Sequence, residues 1–104
     1  MITGSYNADG AKALIAEGGN ARLEQATSLI ESLGGSLEAM YFAYGADDIV
    51  GICEMPDAAS AAAASLAVSS SGTVNVQMTP LLTADELDAA SAIVQNVQYR
   101  APGS

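Results

Sequence analysis

Residues 36–55 read SLEAMYFAYGADDIVGICEM, and the fold follows from how this stretch turns back on itself. Two extended runs, Ser36 to Tyr44 and about Ile49 to Met55, flank the compact turn Gly45-Ala46-Asp47-Asp48. That pattern predicts a β-hairpin. Alternation along the first run puts Leu37, Ala39, Tyr41 and Ala43 on one side and Glu38, Met40, Phe42 and Tyr44 on the other. In the second run Ile49, Gly51, Cys53 and Met55 oppose Val50 and Ile52. A half-solvated strand alternates apolar with polar residues. These strands do not, so both faces of the hairpin are expected to be covered.

Upstream of the hairpin, Met1 to Tyr6 reads as a short strand and Asn7 as the N-cap of a helix opening at Ala8, because its side chain accepts an orphan backbone N–H. Gly18-Gly19 breaks that helix, and Asn20 offers a second cap. Leu23, Ala26, Ile30 and Leu33 then fall on one helical stripe, with Glu24, Gln25, Ser28 and Glu31 outward. Gly34-Gly35 ends the stripe. Downstream, Asp57 caps a helix running from Ala58 to Ser69, closed by Ser70-Ser71-Gly72. Thr73 to Thr79 alternates as a strand, with Val74, Val76 and Met78 on one side. Thr83-Ala84-Asp85-Glu86 is a capping-box pattern, and its helix carries Leu87, Ala90, Val94 and Val97 on one stripe. The order is β-α-β-β-α-β with an extra C-terminal helix. It predicts an α+β class, ferredoxin-like antiparallel sheet in one domain, residues 1–104.

A sheet covered by helices on one face leaves the other face to be met. Burying each apolar side chain there is worth about 1.5–3 kcal/mol, which favours association. Two sheets stacked face to face would form an isologous homodimer, a dimeric α+β barrel; higher homo-oligomers stay open. The alternative is that residues 83–97 roof their own sheet.

Composition narrows the partners. Twelve carboxylates stand against Lys12, Arg22 and Arg100, a formal charge of −9 that repels nucleic acid and anionic membrane surfaces. Cys53 is the single cysteine, so no intrachain disulfide forms, and its place in an apolar run points to an inert core thiol. The run Ala58 to Val68 is too short to span a bilayer. No charged segment followed by an apolar one opens the chain, so the expected location is cytoplasmic.

The resemblance of the chain to a known family rests on Leu29 to Glu38, Tyr41-Phe42-Ala43-Tyr44-Gly45, Asp48-Ile49-Val50, Pro56-Asp57, Thr79-Pro80-Leu81-Leu82-Thr83 and Tyr99-Arg100 with Pro102. These resemble the GYD-domain proteins, small bacterial proteins of ferredoxin-like, dimeric α/β-barrel type. The resemblance implies the same fold and self-association and no defined activity. The family is named for a Gly-x-Tyr-Asp turn. The matching positions here are Gly45, Ala46, Asp47 and Asp48, so the tyrosine is replaced by Asp47. The first strand is also short and polar for a central one.

The chain has no histidine, which removes Ser-His-Asp and Cys-His nucleophiles, histidine-ligated zinc and proximal-histidine haem. No nucleotide-binding glycine loop occurs, and no cofactor or metal is expected. The candidate ligand-binding residues are Tyr6, Tyr41, Tyr44, Asp47, Asp48 and Glu54. Asp47 and Asp48 would hold a cation or serve as a base, or else form a solvated turn with Asp48 bonding nearby N–H groups. The tyrosines would line a cleft, or pack with the hydroxyl at an edge. Glu54 is a base if buried, and an ordinary surface carboxylate if exposed at its strand end. Thr73, Asn75 and Gln77 put neutral hydrogen-bonding groups on one sheet face. Two functions fit. One is a homo-oligomeric module that binds a small organic ligand between sheet and helices or at the subunit interface. The other is a cofactor-independent enzyme, monooxygenase- or isomerase-like, on a dimeric α+β barrel. An enclosed pocket holding Glu54 or a tyrosine would favour the second.

Overall fold

The computed structural model describes residues 1–103. Four strands, β1 (Ile2–Tyr6), β2 (Ser36–Phe42), β3 (Ile49–Glu54) and β4 (Val74–Met78), form one antiparallel sheet in the order β2-β3-β1-β4. Helices α1 (Ala8–Glu17) and α2 (Gly19–Ser32) connect β1 to β2, and α3 (Ala58–Ser69) connects β3 to β4. A last helix, α4 (Ala84–Val94), follows the sheet. The chain is α+β, and its strand order is that of the split βαβ arrangement, with the short β1 at the centre.

Local chemistry explains the element ends. Asn7 Oδ1 accepts the Gly10 N–H at 2.8 Å, Asp57 Oδ1 accepts that of Ser60 at 2.7 Å, and Thr83 and Glu86 form a complete capping box. The Ser60 bond holds the Asp57 carboxyl below its ordinary pKa. Gly34 N–H bonds the Glu31 carbonyl and Gly35 N–H that of Ile30, each at 3.0 Å, a Schellman ending for α2. One expected cap fails. Asn20 does not start α2, which begins a residue earlier at Gly19, and Gly18 at φ 95° makes the corner between the two helices alone.

Register assigns the faces, since paired residues share a side. Ile2, Gly4 and Tyr6 lie with Ile49, Gly51, Met40, Phe42, Val74, Val76 and Met78 on the side that α2 and α3 cover. Thr3, Ser5, Val50, Ile52, Ala39, Tyr41, Asn75 and Gln77 form the opposite, open face. The simple alternation expected for β2 is broken by a bulge between Leu37 and Ala39. Leu37 pairs with Cys53 and Ala39 with Ile52, so these two residues sit on opposite faces, not the same one. Tyr44 and Met55 lie beyond the strand ends.

The core is thin. Among the described residues its buried apolar side chains are Ile30, Ile49, Ala64 and Val74, with Ala64 only 3% exposed and none of the larger ones fully enclosed. The absence of bulk at Ala64 lets α3 approach the edge strand closely. Ser69 Oγ accepts the Val76 N–H at 3.3 Å and Ser65 Oγ donates to the Val76 carbonyl at 3.1 Å. Two serines a turn apart thus occupy the outward backbone groups at the middle of β4, a position otherwise open to another strand. The β2 edge has no such cover.

Helix α4 does not roof the open face. It packs on no other element beyond marginal contact, and every residue in it except Ala90 is exposed. The molecule is accordingly drawn out, 55 × 33 × 22 Å with a radius of gyration of 17.3 Å, where a compact chain of this length has about 13 Å. Its surface is 7220 Å², against about 5,400 Å² for a compact monomer of this mass. No helix among the described residues is long and apolar enough to cross a membrane.

The first turn of α1 lies against the chain before β4, where Asn7 N–H bonds the Thr73 carbonyl at 3.0 Å. A Cβ at Gly10 would run into that carbonyl, while at Gly4 the nearest atom would be an ordinary 3.4 Å away. Gly10→Ala is therefore expected to destabilise the fold by about 1–3 kcal/mol in urea titrations, and Gly4→Ala to leave it nearly unchanged.

Candidate functional site

The candidate residues do not converge on one cavity. Tyr41, 69% exposed, stands on the open sheet face, and Tyr44, fully exposed, lies in the loop after β2. Asp47 is exposed in the same loop. Glu54 is exposed at the end of β3, so the buried-base alternative does not hold for it.

Tyr6 and Asp48 are brought together, through the backbone. Asp48 Oδ2 accepts the Tyr6 N–H at 2.8 Å, its own N–H donates to the Gly4 carbonyl at 2.8 Å, and its carbonyl accepts the Ala43 N–H at 2.8 Å. Pairing of β1 with β3 stops at Gly4 and Ile49. Beyond that point the Asp48 carboxylate takes the place of a strand carbonyl. The aspartate does bond backbone N–H, as one alternative held, yet its partner is 42 residues away and not in its own turn.

The Tyr6 side chain packs on the helix-covered side, and its hydroxyl is buried beside the Arg22 guanidinium, close enough to feel it but without the geometry of a full hydrogen bond. Burial raises its pKa above the usual 10.0; the Arg22 guanidinium nearby pulls the other way and falls short, while Glu17 and Asp48 add to the rise. Arg22 is the residue that sequence reasoning passed over. It stands one turn before Ala26 on the inner stripe of α2, a position whose helical spacing was the available signal, and it lines the interior cavity. That cavity holds about 60 Å³ and is otherwise apolar, bounded by Ile30, Met40, Ile49, Ala64 and Val74 among others. A space of this size suits a few water molecules and excludes a metabolite.

Two surface hollows are larger. One of about 360 Å³ lies beside Tyr6, Asn7, Thr73 and Asn75. The other, about 840 Å³, is an open groove running between Ala58, Ala61 and Ala62 of α3, the ends of β3 and β4, and Leu81 and Leu82. Cys53 and Glu54 line it. Cys53 is half-buried, less enclosed than a core thiol, and burial raises its pKa, with Glu38 and Glu54 adding to the effect and the N-terminal amine opposing it. That keeps the sulfur a thiol and a weak nucleophile. Among the described residues, no three cysteine or acidic side chains cluster so as to hold a metal ion.

With this geometry established, the match of the chain to known families is informative. The GYD domain model matches residues 1–91, from β1 into the middle of α4. The chain belongs to the GYD-domain family. Comparison with curated proteins and with solved structures finds no significant match in either. In this GYD domain the aspartate of the naming turn, Asp48, is a backbone latch between hairpin and central strand. Asp47, its neighbour in the turn, is at the surface.

Two outcomes test these roles. Asp48→Ala should lose about 1–2 kcal/mol in urea unfolding, and Asp48→Asn, which keeps an acceptor, about half as much. Tyr6→Phe should match or exceed the wild type by up to about 1 kcal/mol, since it removes an unbonded buried hydroxyl. The raised Tyr6 pKa means its contribution is complete below pH 10.0 and is lost as pH rises through the folded value. The variant's alkaline stability profile should be flatter there.

Proposed function

We propose that this GYD domain is a homo-oligomeric module whose pairing surface is the open sheet face, with room for a small organic ligand at the subunit interface. The observation that carries this reading is the composition of that face. Val50, Ile52, Ala39 and Tyr41 form an apolar half beside the polar half of Thr3, Ser5, Asn75 and Gln77, and no element of the chain lies over either. Stacked on itself about a twofold axis, such a face would give a barrel of two sheets. The four neutral polar side chains would then line its interior and supply donors and acceptors to a ligand.

Edge pairing along β4 is disfavoured, and the exposed area is enough for an interface. The Val76 backbone groups on β4 are already bonded to Ser65 and Ser69. The surplus of surface over a compact monomer, roughly 1,800 Å², exceeds the roughly 800 Å² per partner of a standard interface. The enzyme reading has no comparable support: the interior cavity is small, and neither Glu54 nor Tyr41 reaches it.

Light scattering on the purified chain should give twice the monomer mass at micromolar concentration. Val50→Asp, which puts a charge between Tyr41 and Thr3 at the middle of the face, should return it to monomer while leaving the circular dichroism unchanged. With a charge of −9 on each copy, association should tighten as salt screens their repulsion. A monomer at every concentration and salt level would end this reading.

A further inference from the structure

We infer that α4 is an exchanged arm: the helix of one copy lies in the groove beside Ala58, Ala61 and Ala62 of a second copy and closes it over Cys53 and Glu54. The inference rests on the dimer proposed above, and on observations the sheet face does not supply.

The first is the arm itself. Leu81, Leu82, Leu87, Ile93, Val94, Val97 and Tyr99 are seven of the thirteen large apolar side chains exposed among the described residues, gathered within nineteen residues of chain. Leu87, Ala90, Val94 and Val97 form a single stripe, and the turn continues past the helix through the Val97 N–H bond to Val94. A solvated tail would not concentrate its apolar residues in this way. The second is stability. An isolated helix of eleven residues is marginal in water, yet this one has a full capping box while no element of its own chain packs on it beyond marginal contact. A docking surface on another copy would supply the stabilisation its own chain does not.

The third is the charge pattern. Asp85, Glu86 and Asp88 occupy the first turns of α4, and Glu86 lines the groove with Glu54 and Asp57, exposed carboxylates at the border of its alanine and leucine walls. From Ala89 to Tyr99 the arm carries no charge at all. Only that distal half can enter an apolar site without desolvating a carboxylate. The groove fits it: the α3 wall offers alanines, whose small side chains leave a trough for larger ones from an incoming helix. The fourth is area. The surface surplus of roughly 1,800 Å² per chain would bury roughly 3,600 Å² in a pair, within the range of obligate homodimers and more than a single sheet-to-sheet contact of standard size. A second copy is the occupant because it brings the arm and the groove in equal numbers, so reciprocal exchange leaves neither unfilled.

In the exchanged dimer the groove becomes an enclosed chamber, with Cys53 and Glu54 on the wall of one copy and the Val94 and Val97 side chains of the other as its roof. Its occupant would be small and largely apolar, without an anionic group to oppose Glu54.

The test is a dimer mixed from isotope-labelled and unlabelled wild-type chains, read by isotope-filtered nuclear Overhauser spectroscopy. Intermolecular contacts between the methyls of Val94 or Val97 and those of Ala58, Ala61 or Ala62 are expected. Their absence in a dimer overturns the exchange while leaving the sheet pairing in place; a monomer overturns both. A second measurement uses Ile93→Asp with Val97→Asp, exposed positions whose change does not touch the fold of one chain. Self-association should weaken by about 100-fold or more, and modification of Cys53 by a thiol reagent should accelerate at concentrations where the wild type stays paired. Unchanged association and unchanged Cys53 reactivity would refute the arm.

Discussion

The close approach of α3 to β4 governs much of this molecule. Ala64 is small enough for the helix backbone to come within reach of the strand, and that proximity lets Ser65 and Ser69 bond the Val76 amide and carbonyl. The same closeness limits the depth of the core. A layer of alanines buries little area per residue, so the space between helices and sheet is filled by Ile30, Ile49, Val74 and a few half-buried neighbours. The open sheet face and the outlying α4 are where apolar side chains are left uncovered.

Much of this architecture was legible in the residues. Asn7, Asp57 and the Thr83–Glu86 pair cap the helices they were expected to cap, because an N-cap depends on only four consecutive positions. The alternation of Val74 to Met78 gave β4 its inner face for a similarly local reason. Features set by distant contacts were not legible. The bulge after Leu37 depends on how β2 registers with β3, and it reverses the side on which Leu37 lies. Gly18 displaced Asn20 as the start of α2, since a backbone at positive φ turns the corner without a side chain. Whether the apolar stripe of α4 would fold back on its own sheet is a tertiary question, and its hydrophobic spacing is equally consistent with either outcome.

The candidate site was legible in part. Asp48 bonds backbone N–H, a role for which an aspartate in a turn was a reasonable expectation. What the residues could not disclose was that its acceptor oxygen serves a strand 42 positions earlier. Tyr41, Tyr44, Asp47 and Glu54 looked promising for their chemistry alone, and chemistry without enclosure does not make a pocket. Arg22, one of three cations in the chain, sits beside the buried Tyr6 phenol because α2 turns its inner stripe toward it. Its helical phase was visible, and its neighbour was not.

The serines on α3 have a bearing on how large an assembly this chain can build. A sheet with two free borders can add neighbours at both ends and grow without limit. Here one border is sealed at its midpoint, so lateral zipping could happen only along β2, and a pair joined there would present sealed borders on both outer sides. Growth of that kind would terminate at two.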